Sequence, residues 1–233
     1  VTLKGVRFSF TDALVEKRAT SAENPDRKTH HLNIIIENSG PYAKYAEENR
    51  KKVMEAIRAA GLQKWKKEDA YKDIMEDSPK RVTYRKGDKF KNKEGKIYDG
   101  YEGNHAFGAT GPGGGQKRPR LIDRRKRILI APGDSIPSNT KLEIVNIGQS
   151  DIDEFFYSGC YGDATVSFYG TDKGSRGIFA TVDVLRSYQQ GERMAGGYSF
   201  SDDDIDDFDD LECDDLDDDD APSSKSSSDD DDI

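Results

Sequence analysis

Cysteine is almost absent from this chain, with Cys160 and Cys213 the two among 233 residues. Cys213 lies in an acidic low-complexity end and the rest of the chain offers Cys160 no partner, so a disulfide scaffold is excluded and a reducing compartment fits. Histidine is scarce as well: His30, His31 and His105 have no second Cys or His at metal-ligand spacing. No stretch approaches the roughly 18 apolar residues of a membrane helix. The first residues lack the charged-then-apolar pattern of a signal peptide. A P-loop and a nucleophile elbow are also missing. These absences exclude several large enzyme classes. They set the expectation of a soluble, intracellular protein with no catalytic residue, no metal and no cofactor.

Charge is abundant and unevenly spread. Charged residues make up 35% of the chain and hydrophobic ones 33%, with a net charge of −9. Residues 201–233 hold 17 Asp and Glu212 against the single base Lys225, whereas residues 1–200 hold 35 bases against 27 acids. The end segment has too little apolar surface to offset its ordering entropy and its own repulsion, so disorder is expected there. The domain reading is therefore a folded body at 1–197 and a disordered acidic tail at 198–233.

Within the body, alternation predicts short strands. Val6, Phe8 and Phe10 share one side of a strand ending near Thr11, and Leu32, Ile34 and Ile36 share one side of a second over 31–38. Asp12 to Thr29 reads as a long loop. Pro41 opens a helix whose apolar residues Tyr45, Val53, Ala56, Ile57 and Ala60 recur at helical spacing, with Gly61 expected to close it. A more polar helix is expected over 64–76. Strands are then predicted over 98–109, 141–147, 161–169 and 178–185. Phe107 and Phe168 are expected in the core. One or two helices inserted after an early strand pair, among many short strands, point to a mainly β (α+β) small barrel and not to a parallel α/β sheet.

Two local features carry chemistry. Five arginines and two lysines crowd between residues 117 and 127: Lys117, Arg118, Arg120, Arg124, Arg125, Lys126 and Arg127. Such a run is commonly a solvated loop, but it can also neutralise several phosphates, each releasing counterions. Aromatic residues flank it, and unpaired bases stack on such rings with little sequence preference, which favours single strands over duplex. Half of these rings are expected in the core; Tyr98, Tyr101, Tyr157 and Tyr161 are the candidate stacking surfaces. The tail is the other feature. Its coil span of roughly 30 Å exceeds the body's radius of gyration of about 16 Å. A tethered polyanion can thus compete for a cationic groove on its own domain. The ending Asp229, Asp230, Asp231, Asp232 and Ile233 places an apolar side chain and a carboxylate after four acids, which suits a partner pocket with an apolar floor and a basic rim. A purely solubilising tail fits the composition equally well.

Val6 to Phe10, Gly87-Asp88, Tyr98-Asp99-Gly100-Tyr101, Arg118-Pro119, Tyr157-Ser158-Gly159-Cys160-Tyr161 through Ser167-Phe168-Tyr169, and Lys173 to Ile178 resemble a family of tailed-phage single-stranded DNA-binding proteins. The Tyr-Ser-Gly-Cys-Tyr segment is the most specific part. The resemblance implies an OB-fold five-stranded barrel and work in phage DNA replication, recombination and repair. It also implies single-stranded DNA as ligand, phage or host replication and recombination proteins as partners of the tail, and the cytoplasm of an infected bacterium as location. Self-association into a homo-oligomer is left open. The tail ends in Ile233 where bacterial single-strand binders end in Pro-Phe. The rival readings are a protein whose tail mimics DNA to occupy another protein's basic cleft, and a phage nuclease.

Overall fold

The computed structural model describes residues 1–19 and 25–194; the expectations for the tail, including Asp229 to Ile233, lie outside the described residues. The elements in chain order begin with β1 (Thr2–Ser9), α1 (Asp12–Val15), β2 (Arg18–Ala19), β3 (Lys28–Thr29) and β4 (His31–Ile36). Then come α2 (Ala46–Trp65), α3 (Ala70–Asp77), β5 (Arg85–Lys86), β6 (His105–Thr110), β7 (Arg120–Ile122) and β8 (Ile128–Ile130). The last are β9 (Ile144–Asn146), α4 (Ile152–Phe155), β10 (Tyr161–Thr171) and β11 (Gly177–Ser187).

The strands β6-β4-β1-β10-β11 are successive neighbours, and β11 also pairs with β6, closing a ring of five. Every pairing around the ring is antiparallel except the closing one, which is parallel at Thr181 and Thr110. This is the five-stranded Greek-key closure of the OB fold, which leaves the barrel with protected edges. The interior is filled by the alternation read from sequence. Val6 and Phe8 from β1, Leu32, Ile34 and Ile36 from β4, and Phe107 from β6 are all buried in one core. Phe107 is fully buried, as expected, while Phe168 packs partly buried against the same core. Helix α2 adds Val53, Ile57 and Ala60 to that core. No helix among the described residues is long and apolar enough to cross a membrane.

Four local expectations are corrected. Phe10, expected on the same side as Val6 and Phe8, lies beyond β1 with φ 56° and packs instead with Ile35 and Phe90 in a separate cluster. Gly61 does not end its helix; α2 runs one turn further to Trp65 and stops at Lys66, which takes the left-handed conformation (φ 58°) and donates its N–H to Leu62 O. Gly61 is needed where α3 crosses: a Cβ there would lie 2.8 Å from Lys67 O and 3.3 Å from the Ala70 Cβ. The strand expected over 98–109 begins only at His105, because hydrogen bonds from Tyr101 N to Tyr98 O and from Asn104 N to Tyr101 O fold 98–104 into turns. The long loop of 12–29 holds α1 and the β2–β3 hairpin.

His31, on the outer side of β4, is 2% exposed, and its Nδ1 lies 3.1 Å from Thr29 Oγ1. Burial is the main cause that lowers its pKa to about 4. Below pH 6.5 the unfolded chain binds the proton that the folded chain refuses, so stability is lost as pH falls from about 6.5 towards 4. The expected loss is on the order of 3 kcal/mol. Urea midpoints measured across that window should fall more steeply for the native chain than for His31→Gln; parallel curves would refute the assignment.

Candidate nucleic-acid interface

The basic run of the sequence is a β-hairpin. β7 and β8 pair antiparallel through Leu121–Leu129 and Ile122–Ile128, and residues 123–127 form the turn. Asp123, 1% exposed, organises that turn: it accepts from Arg127 N (2.8 Å) and Arg127 Nε (2.8 Å). Burial pushes its carboxyl upward, but the hydrogen bonds from Arg127 outweigh it and hold it below the usual carboxylate range. Arg127 is thus a scaffold of the turn. Arg124, Arg125 and Lys126 are exposed at its tip, and none pairs with a carboxylate among the described residues.

The hairpin is anchored to the barrel through β11, which pairs with β7 in parallel: Val184 with Arg120, Leu185 with Leu121 and Arg186 with Ile122. Leu121 and Leu185 point into the core, so Arg120, Ile122, Val184 and Arg186 share the opposite, outward face. A cleft of about 670 Å³ opens beside this face, lined by Lys17, Lys117, Arg120, Asp183 and Val184 among others. Lys117 and Arg120 are exposed there. Arg118 is a different case. Its side chain is 4% exposed, pairs with Asp134 at 2.5 Å and donates to the backbone oxygens of Leu14 (2.6 Å) and Val15 (3.3 Å). The phosphate role read from sequence is therefore corrected: this guanidinium has three protein acceptors and ties α1 to the loop after β8.

From Arg186 a chain of contacts leads to four tyrosines. Arg186 donates to Asp163 (3.4 Å) and Arg124 O (3.5 Å) and sits 5.6 Å from the Tyr188 ring. Tyr188 stacks near Tyr42 (5.2 Å), and Tyr42 near Tyr161 (5.0 Å). Arg7 lies 5.4 Å from the Tyr161 ring, and Arg193 lies 4.6 Å from the Tyr157 ring. Tyr157 donates to Gly191 O (2.8 Å), beside a pocket of about 310 Å³ lined by Arg7, Tyr42, Tyr161 and Gln190. Tyr42, Tyr157 and Tyr188 are half-buried and offer ring surface. Tyr161 is 8% exposed and donates to Glu37 (2.7 Å); burial and that carboxylate push its pKa up to about 12. Its ring supports Tyr42 and has little face of its own to give.

The other predicted rings lie elsewhere. Tyr101 is fully buried, and its hydroxyl accepts from Asn33 (2.9 Å). With Phe10, Ile35, Phe90 and Ala106 it forms a second small core that covers the outer face of β4 and β6, with Tyr98 packed half-buried against it. Stacking by Tyr101 is thus ruled out in this conformation, because the turns at 98–104 fold its ring onto the sheet. The sequence reading missed Tyr42, Arg186 and Tyr188. Alternation along β11 could have flagged Arg186 beside Val184; nothing local marks Tyr42, which reaches the site from the start of the helical segment.

The Tyr-Ser-Gly-Cys-Tyr segment has a packing reason. The chain after β11 crosses it as a strap, with hydrogen bonds from Met194 N to Ser158 O and from Tyr161 N to Gln190 O. At the crossing a Cβ on Gly159 would lie 2.0 Å from Glu192 O, and one on Gly191 would lie 2.2 Å from Gly159 O; both have positive φ. Only glycine fits at either position.

Arg118→Ala should cost roughly 3–5 kcal/mol of stability, since it leaves Asp134 without its partner in a buried pair. A urea titration reads this directly. A loss below about 1 kcal/mol, the value of an exposed ion pair, would return Arg118 to the list of solvent-facing cations.

A family model described as the single-stranded DNA-binding protein of Enterobacter phage Enc34 matches residues 1–220. Protein p50 of Acyrthosiphon pisum secondary endosymbiont phage 1 is 29% identical over 218 residues, covering 91% of this chain and 93% of p50. Among solved structures, the bacteriophage Enc34 single-stranded DNA-binding protein in complex with single-stranded DNA aligns with a TM-score of 0.58 at 14% identity, over 84% of this chain and 88% of that one. Another structure of the Enc34 protein aligns with a TM-score of 0.58 at 13% identity, over 87% of each chain. At these identities the structural likeness establishes the shared fold. The family match, running from the first residue far beyond the barrel, settles the assignment: this chain belongs to the Enterobacter phage Enc34 single-stranded DNA-binding protein family.

Proposed function

We propose that the protein binds single-stranded DNA with little sequence preference and without catalysis, in phage DNA replication, recombination and repair. The observation that carries this reading is the succession of bases and half-buried rings: Lys117 and Arg120 in the cleft, Arg186 on the same outward face of β7 and β11 and against Tyr188, Tyr188 against Tyr42, and Tyr157 linked to Tyr42 through Gln190 and Gly191. The hairpin tip Arg124–Lys126 stands beside it. Phosphates go to Lys117, Arg120, Arg124, Arg125 and Lys126, and bases to the tyrosine faces. Of the carboxylates along the track, Glu37 and Asp163 are tied to Arg7 and Arg186, whereas Asp183 in the cleft accepts only from the Ser167 hydroxyl and Glu192 is exposed beside Tyr42, so the bases must outweigh these two.

The acidic tail competes for the same cations and, when DNA displaces it, presents its end to replication or recombination partners. The place of the preceding chain supports this: Arg193, a few residues before the acidic segment in sequence, lies over Tyr157 at one end of the track. The setting is the cytoplasm of an infected bacterium.

Fluorescence anisotropy with a labelled oligothymidylate at several salt concentrations tests the interface. Replacing Arg124, Arg125 and Lys126 together by Ala should weaken binding and flatten the log–log salt slope by about 2, since each lost single-strand phosphate contact removes roughly 0.7. Tyr42→Ala and Tyr157→Ala should each cost about 1–3 kcal/mol, roughly 5- to 150-fold in Kd. Unchanged slopes in the triple variant would reject the hairpin as a phosphate site. Deleting residues 201–233 should tighten binding, most at low salt; unchanged affinity defeats the competition model. If even the tail-less chain ignores oligonucleotides, the DNA-mimic reading takes over.

A further inference from the structure

Away from the tyrosine track, a groove of about 850 Å³ runs along the end of α3 and the following segment. Its lining combines Met75 and Pro79 with the cations Lys80, Arg81, Arg85, Lys86 and Lys89, and holds no carboxylate among the described residues. Met75 is 41% exposed and forms the apolar floor with Pro79, and the cations add their aliphatic stems to the walls. Arg81 is held in place by the backbone oxygens of Lys173 (3.0 Å) and Ser175 (2.5 Å), so one wall is rigidly tied to the β10–β11 turn. Lys86 and Lys89 are exposed on the other side. An apolar floor under a cationic rim does not suit a base or a bare phosphate. It suits an acidic peptide with apolar side chains at short intervals.

The chain carries such a peptide. Between 202 and 211 seven aspartates surround Ile205, Phe208 and Leu211, which are spaced every third residue. The tail also starts nearby. Met194 packs against the second small core at Gly100, where a Cβ would lie 2.3 Å from the Met194 Cε. That core reaches the groove through Tyr101 and Phe90, whose rings are 5.2 Å apart, and then through Arg85, 4.7 Å from the Phe90 ring. The ten residues from 195 to 204 can span up to about 33 Å when extended.

We propose that residues 202–211 of the acidic tail dock in this groove in the same molecule, with Ile205 and Phe208 against Met75 and the aspartates against the cationic rim. The groove is then a seat for the tail separate from the tyrosine track. It fixes where the tail's remaining length starts and leaves 212–233 to act elsewhere. This holds whether or not the track binds DNA.

The chain supplies its own probe site. Cys160 is fully buried with its thiol pushed up by burial to about 12, so a thiol-reactive nitroxide on the folded full-length protein labels Cys213. In the absence of DNA, paramagnetic broadening of backbone amide signals should cause strong intensity loss around Met75, Lys80, Lys86 and Lys89. That loss should disappear in Phe208→Ser, which leaves the folded body untouched, and in Lys86→Glu/Lys89→Glu. Broadening confined to Arg124–Lys126 and Tyr188, or absent everywhere, would overturn the proposal. So would broadening that appears only between isotope-labelled and spin-labelled molecules in a mixed sample, since the occupant would then be a second copy's tail. None of these readouts involves DNA, so failure here leaves the single-strand reading standing, and the converse holds.

Discussion

β11 pairs on both of its edges, and most of the molecule depends on how it divides one of them. Along its whole length it pairs with β10. On the other edge its first half meets β6 at Thr181, closing the barrel, and its second half meets β7 from Val184 to Arg186, carrying the basic hairpin. The handover coincides with a bulge: Thr165 opposes Val184 while Val166 opposes Val182, leaving Asp183 extra. A bulge bends a strand and increases its twist, which lets one strand belong to the barrel and then leave it. The basic tip is consequently fixed to a rigid wall, although its own sequence reads as a loop.

That arrangement also sorts the charges. Of the seven bases between 117 and 127, Arg118 and Arg127 hold protein carboxylates and shape loops, whereas Lys117, Arg120, Arg124, Arg125 and Lys126 face solvent. Long-range pairing separates arginines engaged in the fold from solvent-facing ones that composition treats alike. The same sorting applies to rings. Tyr101 serves the packing over β4 and β6, while Tyr42 and Tyr188, from distant segments, pack against each other. The outer face of β4 and β6, the face OB folds commonly use for oligonucleotides, is closed here by residues from 86–104 and by Met194. A cleft with exposed bases lies instead beside β7 and β11.

The strap after β11 links body and tail mechanically. Arg7 donates to Gly159 O, to Glu37 and to Glu192 O, pinning the strap across the Tyr-Ser-Gly-Cys-Tyr segment. Glu192 to Met194, which precede the acidic segment in sequence, are therefore held beside both the tyrosine track and the second small core. The acidic segment's effective concentration at any basic surface nearby follows from that origin and from its length.

Periodicity and composition are local properties, and what they determine could be read without a structure. The inward faces of β1 and β4, the long helix, the terminal hairpin β10–β11 and the split between a cationic body and an anionic end all follow from spacing or counting. Tertiary structure alone decided which bases and rings are available. Arg118 is taken by Leu14, 104 residues away, and by Asp134; Tyr101 is taken by Asn33, 68 residues away; Tyr188 meets Tyr42 only because the barrel closes. A side chain's chemistry is written at its own position, but its freedom to act depends on neighbours that only folding brings within reach.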